Sequence, residues 1–234
     1  MNFLNMLPVQ HFFEHMIKIL KHIGIFNGYD VNEIMHILDN VYHYSCHYRR
    51  NSYIYAPGDK INYLAIIISG EVDTLFFTSD GKECLVSRSD SGQIIGLSFS
   101  FLDKDNNALY FRSASHTQIL FIDIHSLISF TIQTLNNYKM LWNIINELSE
   151  TNMDLYKKMQ LITQSTLRDK LLIYLDDVSK NITADSFKLP MTREHLANYI
   201  GSERSSVCRE LTKMQQDKLI DIDSNYITLL TDTV

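Results

Sequence analysis

The sequence predicts an α+β protein in three successive parts: an antiparallel β-roll, one long amphipathic helix, and a small C-terminal domain of short helices closed by a hairpin. Three observations predict it. Between Tyr42 and Ile124, short β-branched or aromatic runs alternate with turn signals, the texture of a barrel or jelly roll. Between Tyr138 and Ile162, apolar residues recur with a heptad period. The stretch TREHLANYIGSERSSVCREL, Thr192 to Leu211, then reads as two short helices around one glycine.

Composition sets the outer limits. The chain has 234 residues, 45% of them hydrophobic, enough for one large domain or two smaller ones. Its 21 basic and 27 acidic residues give a net charge of −6, which supplies no overall attraction to nucleic acid or an anionic membrane. Three cysteines, Cys46, Cys84 and Cys208, lie far apart with no C-x-x-C pair, which argues against a disulfide framework and for a cytoplasmic protein. No run approaches the ~18 apolar residues of a membrane span. The start, MNFLNMLPVQHFFEHMIKIL, has no basic n-region or small-residue cleavage site and is expected to be an amphipathic helix.

Residues to about 40 read helical, broken at GIFNGYD. The strand-like runs that follow are SYIYA, YLAIII, VDTLFF, CLVS, QIIGL and ILFIDI. They are separated at Pro57-Gly58-Asp59, Ser69-Gly70, Ser79-Asp80-Gly81 and Ser91-Gly92. The heptad positions are Tyr138, Leu141, Ile145, Leu148, Asn152, Leu155, Met159 and Ile162. At 1.5 Å per residue they span roughly 37 Å, a seam that calls for a partner helix, most simply a second copy. Asn152 falls at an a position, where asparagine fixes register and a two-stranded state. Another helix, QSTLRDKLLIYLDDVSKN, leads through the extended DSFKLPM to the Thr192 stretch, and KLIDIDSNYITLL reads as a hairpin turning at Asp223-Ser224-Asn225.

Within TREHLANYIGSERSSVCREL, Thr192 is a good N-cap, Leu196 and Ile200 face inward, and Gly201 suits a left-handed helix end. On the second helix, expected from near Ser202, Val207, Leu211 and Met214 share one face. Arg204, Ser205, Cys208, Arg209 and Thr212 share the other, which holds no large apolar side chain. Small, hydroxylic and guanidinium groups are the chemistry that reads base edges and phosphates in a major groove. Thr192, Ser206 and Lys213 complete the candidate DNA-binding set. Residues 166–234 hold 9 Lys/Arg against 11 Asp/Glu, so any attraction to DNA is local to these side chains.

These residues resemble the Crp/Fnr transcription regulators over nearly the whole chain. YAPGDKINYLAIIISGEVDTLFFTSDGKECLV is similar to that family's β-roll, GQIIGL to its phosphate-cassette entry, the heptad helix to its dimer helix, and MTREHLANYIGSERSSVCRELTKMQQDKLIDI to its winged helix-turn-helix. The resemblance implies a sensor domain over 1–135, a dimerisation helix over 136–164 and a DNA-binding domain over 165–234. It implies a homodimer on a roughly palindromic double-stranded DNA operator, RNA polymerase as a further partner, and an unidentified small-molecule effector. Arg204, Ser205 and Arg209 are then the readers; many members carry Glu where this chain has Ser205, so the family's operators are not assumed.

The family's cyclic AMP ligands are departed from. The Glu position after GQIIG is Leu97, beside Gly96; the Arg-Ser pair falls on Asn107 and Ala108; the adenine-facing hydroxyls fall on Met153 and Asp154. A cyclic phosphate held without a cation is poorly compensated, so cyclic AMP binding is not expected; Arg112, five residues late, is the one route by which a rearranged phosphate site could exist. Haem or metal is the alternative input: His11 and His15 are spaced i, i+4, and HYSCH brings His43, Cys46 and His47 together in sequence. No cofactor is expected, and no G-x-S-x-G, P-loop, G-x-G-x-x-G or H-E-x-x-H motif points to an enzyme.

Overall fold

The structure, a computed structural model, describes residues 15–102, 108–135 and 138–230. Its contacts divide the chain into two compact units: residues up to Phe76 with Val86–Thr151, and Phe77–Leu85 with Asn152–Val234. The division falls inside the long helix, and the tip of one hairpin groups with the second unit.

Two four-stranded antiparallel sheets form the roll. One has β1 (His43–Tyr48), β8 (Thr117–Asp123), β3 (Tyr63–Ser69) and β6 (Ile94–Ile95) in that order; the other has β2 (Tyr53–Tyr55), β7 (Tyr110–Ser113), β4 (Glu71–Phe77) and β5 (Glu83–Asp90). The near-continuous apolar run of β3 is explained by burial on both faces. Ala65 and Ile67 point into the lumen with Ile119, Phe121, Val72 and Phe111. Leu64, Ile66 and Ile68 point out, with Leu120 and Ile122, into a second core. β8 pairs with β3 in the register Leu64↔Ile122 and Ile66↔Leu120, which places both outward sets on one face.

That outer face is covered by helices. Residues 15–20 are helical (α1) and bury Met16, Ile17 and Leu20. α2 (Val31–Asn40) starts at a capping box: the Asp30 carboxylate accepts from Glu33 N at 2.9 Å and the Glu33 carboxylate from Asp30 N at 2.8 Å. A single turn, α3 (Leu97–Ser100), follows β6. α4 (Ile124–Leu135) brings in Ile124 and Leu127, and α5 (Lys139–Ile162) brings in Met140 and Ile144. Asn143, buried on that face, donates from Nδ2 to the carbonyls of Ile25 and Asn27, both at 2.9 Å. α4 is unanticipated by the sequence reading, which passed from the strands ending at Ile124 straight to the heptad helix.

The C-terminal unit packs α6 (Leu167–Ile182), α7 (Arg193–Ile200) and α8 (Arg204–Gln216) over a sheet of order β10 (Ile220–Asp223), β11 (Tyr226–Leu229), β9 (Ser186–Lys188). Leu171, Leu175, Leu196, Ile200, Val207, Leu211, Met214, Ile220 and Ile227 close its core. The β10–β11 hairpin turns through Ser224 at φ 55°, where the sequence places it.

Two glycines carry different burdens. Gly70 has φ 89°, and a Cβ there would lie 2.4 Å from the His116 carbonyl oxygen. Gly201, at φ 68°, ends α7 with open space around it. Gly201→Ala therefore carries only the left-handed conformational cost, about 1–2 kcal/mol. Gly70→Ala adds a backbone clash and is expected to cost more than that. Urea unfolding of the two variants checks the order; equal losses would contradict it.

Candidate nucleic-acid interface

The outward face of α8 is built from below. Val207 and Met214 are fully buried and Leu211 nearly so, which fixes the rotation of the helix. Arg204, Ser205, Arg209 and Thr212 are thereby left exposed, with Ser206 and Cys208 half-buried at the margins. α8 begins at Arg204, two residues later than Ser202, because the Gly201–Ser202 turn is completed by Ser202 N donating to the Ala197 carbonyl at 2.8 Å. Arg209 folds along its own helix, donating from Nε to the Ser205 carbonyl and from Nη2 to Ser206 Oγ, both at 3.3 Å. It has only neutral partners there to give up to a base or phosphate.

Two candidates have structural work of their own. The Thr192 hydroxyl accepts from His195 N at 3.2 Å as the N-cap of α7. Lys213, well exposed, stands 4.0 Å from Glu210 and so brings a partly compensated charge. Glu210 is also gripped by Arg168 of α6 at 2.7 Å, and Arg168 reaches Asp217 at 2.6 Å. This fork pins the C-terminal half of α8 to α6.

Sequence reasoning missed Arg193. It opens α7 beside Cys208 of α8, and its buried Nη1 has no hydrogen-bond partner among the described residues. Burial pulls its pKa below the ordinary guanidinium value while Cys208 opposes the shift. Only the packing of α7 on α8 reveals a guanidinium held next to the reading face.

Among the described residues, Arg112 is not brought beside Gly96 and Leu97, the arrangement that a rearranged phosphate site would need. Phe111 of β7 points into the lumen, so Arg112, its neighbour in sequence, points to the opposite face. There it lies 3.8 Å from Asp73, which Arg88 grips bidentately at 2.7 and 3.0 Å. Arg112 is committed to an outer-face ion cluster, away from Gly96 and Leu97. Leu97 is buried in the core beneath the helices, Gly96 holds φ 71° where a Cβ would lie 3.3 Å from the Ile61 side chain, and Ala108 is exposed. Asn107 lies outside the described residues. Met153 and Asp154 are exposed on α5. The lumen is occupied by aromatic side chains: Tyr44 stacks on Phe121 at 4.9 Å, with Tyr55, Tyr63, Phe99 and Phe111 around them. The Tyr55 hydroxyl is buried there without a hydrogen-bond partner among the described residues.

β1 likewise separates the histidine–cysteine group. Cys46 faces the lumen with Tyr44 and Tyr48, whereas His43 and His47 alternate to the other side, His43 Nδ1 lying 3.0 Å from the Val41 carbonyl. His15 is exposed on α1, and His11 lies outside the described residues. Among the described residues no group of three His, Cys, Asp or Glu could hold a metal.

On α5 the expected seam is largely exposed: Ile145, Asn152, Leu155, Met159 and Ile162, with Tyr138 just before the helix. Leu141 and Leu148 are half-buried, and Leu148 packs partly against the core that holds Ile144. Trp142 and Tyr156, 64% and 54% exposed, lie outward instead and shift the stripe toward Trp142-Ile145-Asn152-Tyr156-Met159.

Residues 45–133 match the cyclic nucleotide-binding domain family and residues 170–231 the Crp-like helix-turn-helix domain. The chain belongs to the Crp/Fnr family. It is similar to the CRP-like protein Clp of Xanthomonas oryzae pv. oryzae and of Xanthomonas campestris pv. campestris, 25% identical over 182 residues that cover 75% of this chain and 79% of theirs. In fold it is similar to the global regulator CLP of X. campestris, with TM-score 0.67 and 23% identity over 86% of this chain and 100% of that one. It is also similar to FixK2 of Bradyrhizobium japonicum, with TM-score 0.61 and 16% identity over 82% and 94%. As a Crp/Fnr protein it is a DNA-binding transcription regulator, not an enzyme, made of a roll of cyclic-nucleotide-binding type and a helix-turn-helix. No described helix is long and apolar enough to cross a membrane.

Proposed function

We propose that the chain is a cytoplasmic, homodimeric, sequence-specific regulator whose two α8 helices enter successive major grooves of a roughly palindromic operator. The observation that carries this reading is the α8 face, where Arg204, Ser205 and Arg209 stand exposed above a fully closed core. Arginine grips guanine O6 and N7 with a rigid planar fork, where a lysine offers a flexible point charge. The dimer is supported by the exposed apolar stripe of α5, which runs most of the helix's length. RNA polymerase is the expected partner at the promoter.

The roll is read as a sensor that does not take cyclic AMP. Its described lumen is lined by aromatic rings, and Arg112 lies on the other face, 3.8 Å from Asp73. Any signal acting on the roll would shift the paired α5 helices and with them the two reading heads. The X. campestris relative is described as c-di-GMP responsive, so a cyclic dinucleotide is the first effector to test beside cyclic AMP.

Selection of duplexes from a random DNA pool by the purified protein, with no small molecule added, tests the reading. An inverted repeat is expected; no enrichment by a demonstrated dimer, with or without cyclic AMP, cyclic di-GMP or haem, would overturn it. Cyclic AMP is expected to leave both the thermal midpoint and operator affinity unchanged at millimolar concentration.

A further inference from the structure

One node in the second unit is unused by the reading surface. Lys158 lies near the end of α5 and points inward, between exposed neighbours Lys157 and Met159. Its Nζ donates to the Leu85 carbonyl, in the first half of β5 next to the β4–β5 turn, at 2.6 Å. The same ammonium sits 4.1 Å over the ring of Tyr199 in α7. Tyr199 packs against Tyr174 of α6 at 5.8 Å, and Lys157 reaches Asp177 of α6 at 3.4 Å. A hairpin of the roll, the long helix and the first helix of the helix-turn-helix therefore meet at one side chain. Withdrawal from water lowers the Lys158 pKa to about 8, despite the opposing influence of Cys84, which marks the ammonium as buried among these groups.

The contact chemistry is directional. A carbonyl dipole and a ring face are both acceptors for one cation, and neither interacts comparably with the other. With the ammonium removed, the hairpin and α7 lose their common partner. We propose that Lys158 couples the position of the β4–β5 hairpin to that of α7, so that a change at the hairpin is felt by the DNA-reading module through this side chain as well as through α5 itself. By reciprocity, DNA bound to the reading head must alter the hairpin. This deepens the DNA-binding reading, and one arm of its test does not depend on it.

Amide hydrogen exchange of the full-length protein reads both ends. Without DNA, Tyr199→Leu is expected to accelerate exchange at residues 77–85 by about fivefold or more in the Lys158 background. In Lys158→Met, which keeps the apolar stem, the same substitution is expected to leave the hairpin unchanged. Lys158→Arg, which retains charge and donors, should restore the response. With a selected duplex, wild type is expected to gain protection at residues 77–85 and Lys158→Met to gain none. An equal hairpin response to Tyr199→Leu in both backgrounds, or none in either, would overturn the coupling whether or not DNA binds. If Tyr199→Leu fails to fold, DNA-induced protection that persists in Lys158→Met overturns it instead. Failure of DNA binding with an intact lysine-dependent response would count against the DNA reading alone.

Discussion

Arg209→Ala lowers affinity for the selected operator about 10- to 100-fold and leaves the dimer and the fold intact. The expectation follows from where the side chain is held. Arg209 stands exposed on a helix whose opposite face is fully buried, so its removal opens no cavity. In the free protein its guanidinium rests on the Ser205 carbonyl and Ser206 hydroxyl at 3.3 Å, weak neutral bonds that a guanine edge or a phosphate replaces without leaving a buried group orphaned. A bidentate guanine contact contributes roughly 1–3 kcal/mol of discrimination. The loss is expected to concentrate on the cognate duplex and to relax selection at one base pair of each half-site. Titration of cognate and scrambled duplexes at fixed salt checks it. Equal weakening on both would assign Arg209 to the backbone; no change on either would remove α8 from the interface.

Ile145→Asp converts the dimer to monomer at micromolar concentration. Ile145 is half exposed on the described chain and lies on the outward stripe with Trp142, Asn152, Tyr156 and Met159. Burying an isoleucine side chain contributes roughly 1.5–3 kcal/mol, and a two-fold interface counts it twice. A carboxylate there adds an unpaired buried charge on each helix. Operator affinity is expected to fall with dimerisation, because two linked heads bind with an effective concentration that a monomer lacks. Sedimentation and operator titration check both halves. Asn152→Leu is expected to act in the opposite sense, raising dimer stability while relaxing register; a variant identical to wild type in melting and sedimentation would place Asn152 outside the interface.

The value of Lys158 as a coupling point also depends on its not being a simple stabiliser. Its folded pKa lies below the unfolded lysine value, so the unfolded state binds more protons between about 8 and 10.5. Stability is therefore expected to rise with pH across that window by an amount that Lys158→Met abolishes.

Local periods and local chemistry were legible in the residue order. The left-handed Gly201, the Thr192 cap and the Ser224 hairpin turn depend on neighbours within a few positions, so short-range physics settles them. The inward set Val207-Leu211-Met214 likewise follows from 3.6 residues per turn alone, and it fixed the reading face in advance.

What tertiary structure decided were the questions of which face and which partner. HYSCH suggested a ligand group by proximity in sequence, but a strand sends alternate side chains to opposite faces, and pairing with β8 turned Cys46 into the lumen and the histidines out. Arg112 went to the outer face for the same reason, and Asp73 claimed it. Leu148, a heptad position by sequence, also packs partly against the core that holds Ile144, a contact that spacing alone does not reveal. Arg193 and Lys158 draw their character from elements distant in sequence: one from the packing of α7 on α8, the other from a carbonyl 73 residues away and a ring on α7. Burial and long-range contact are properties of the folded chain, and no local pattern encodes them.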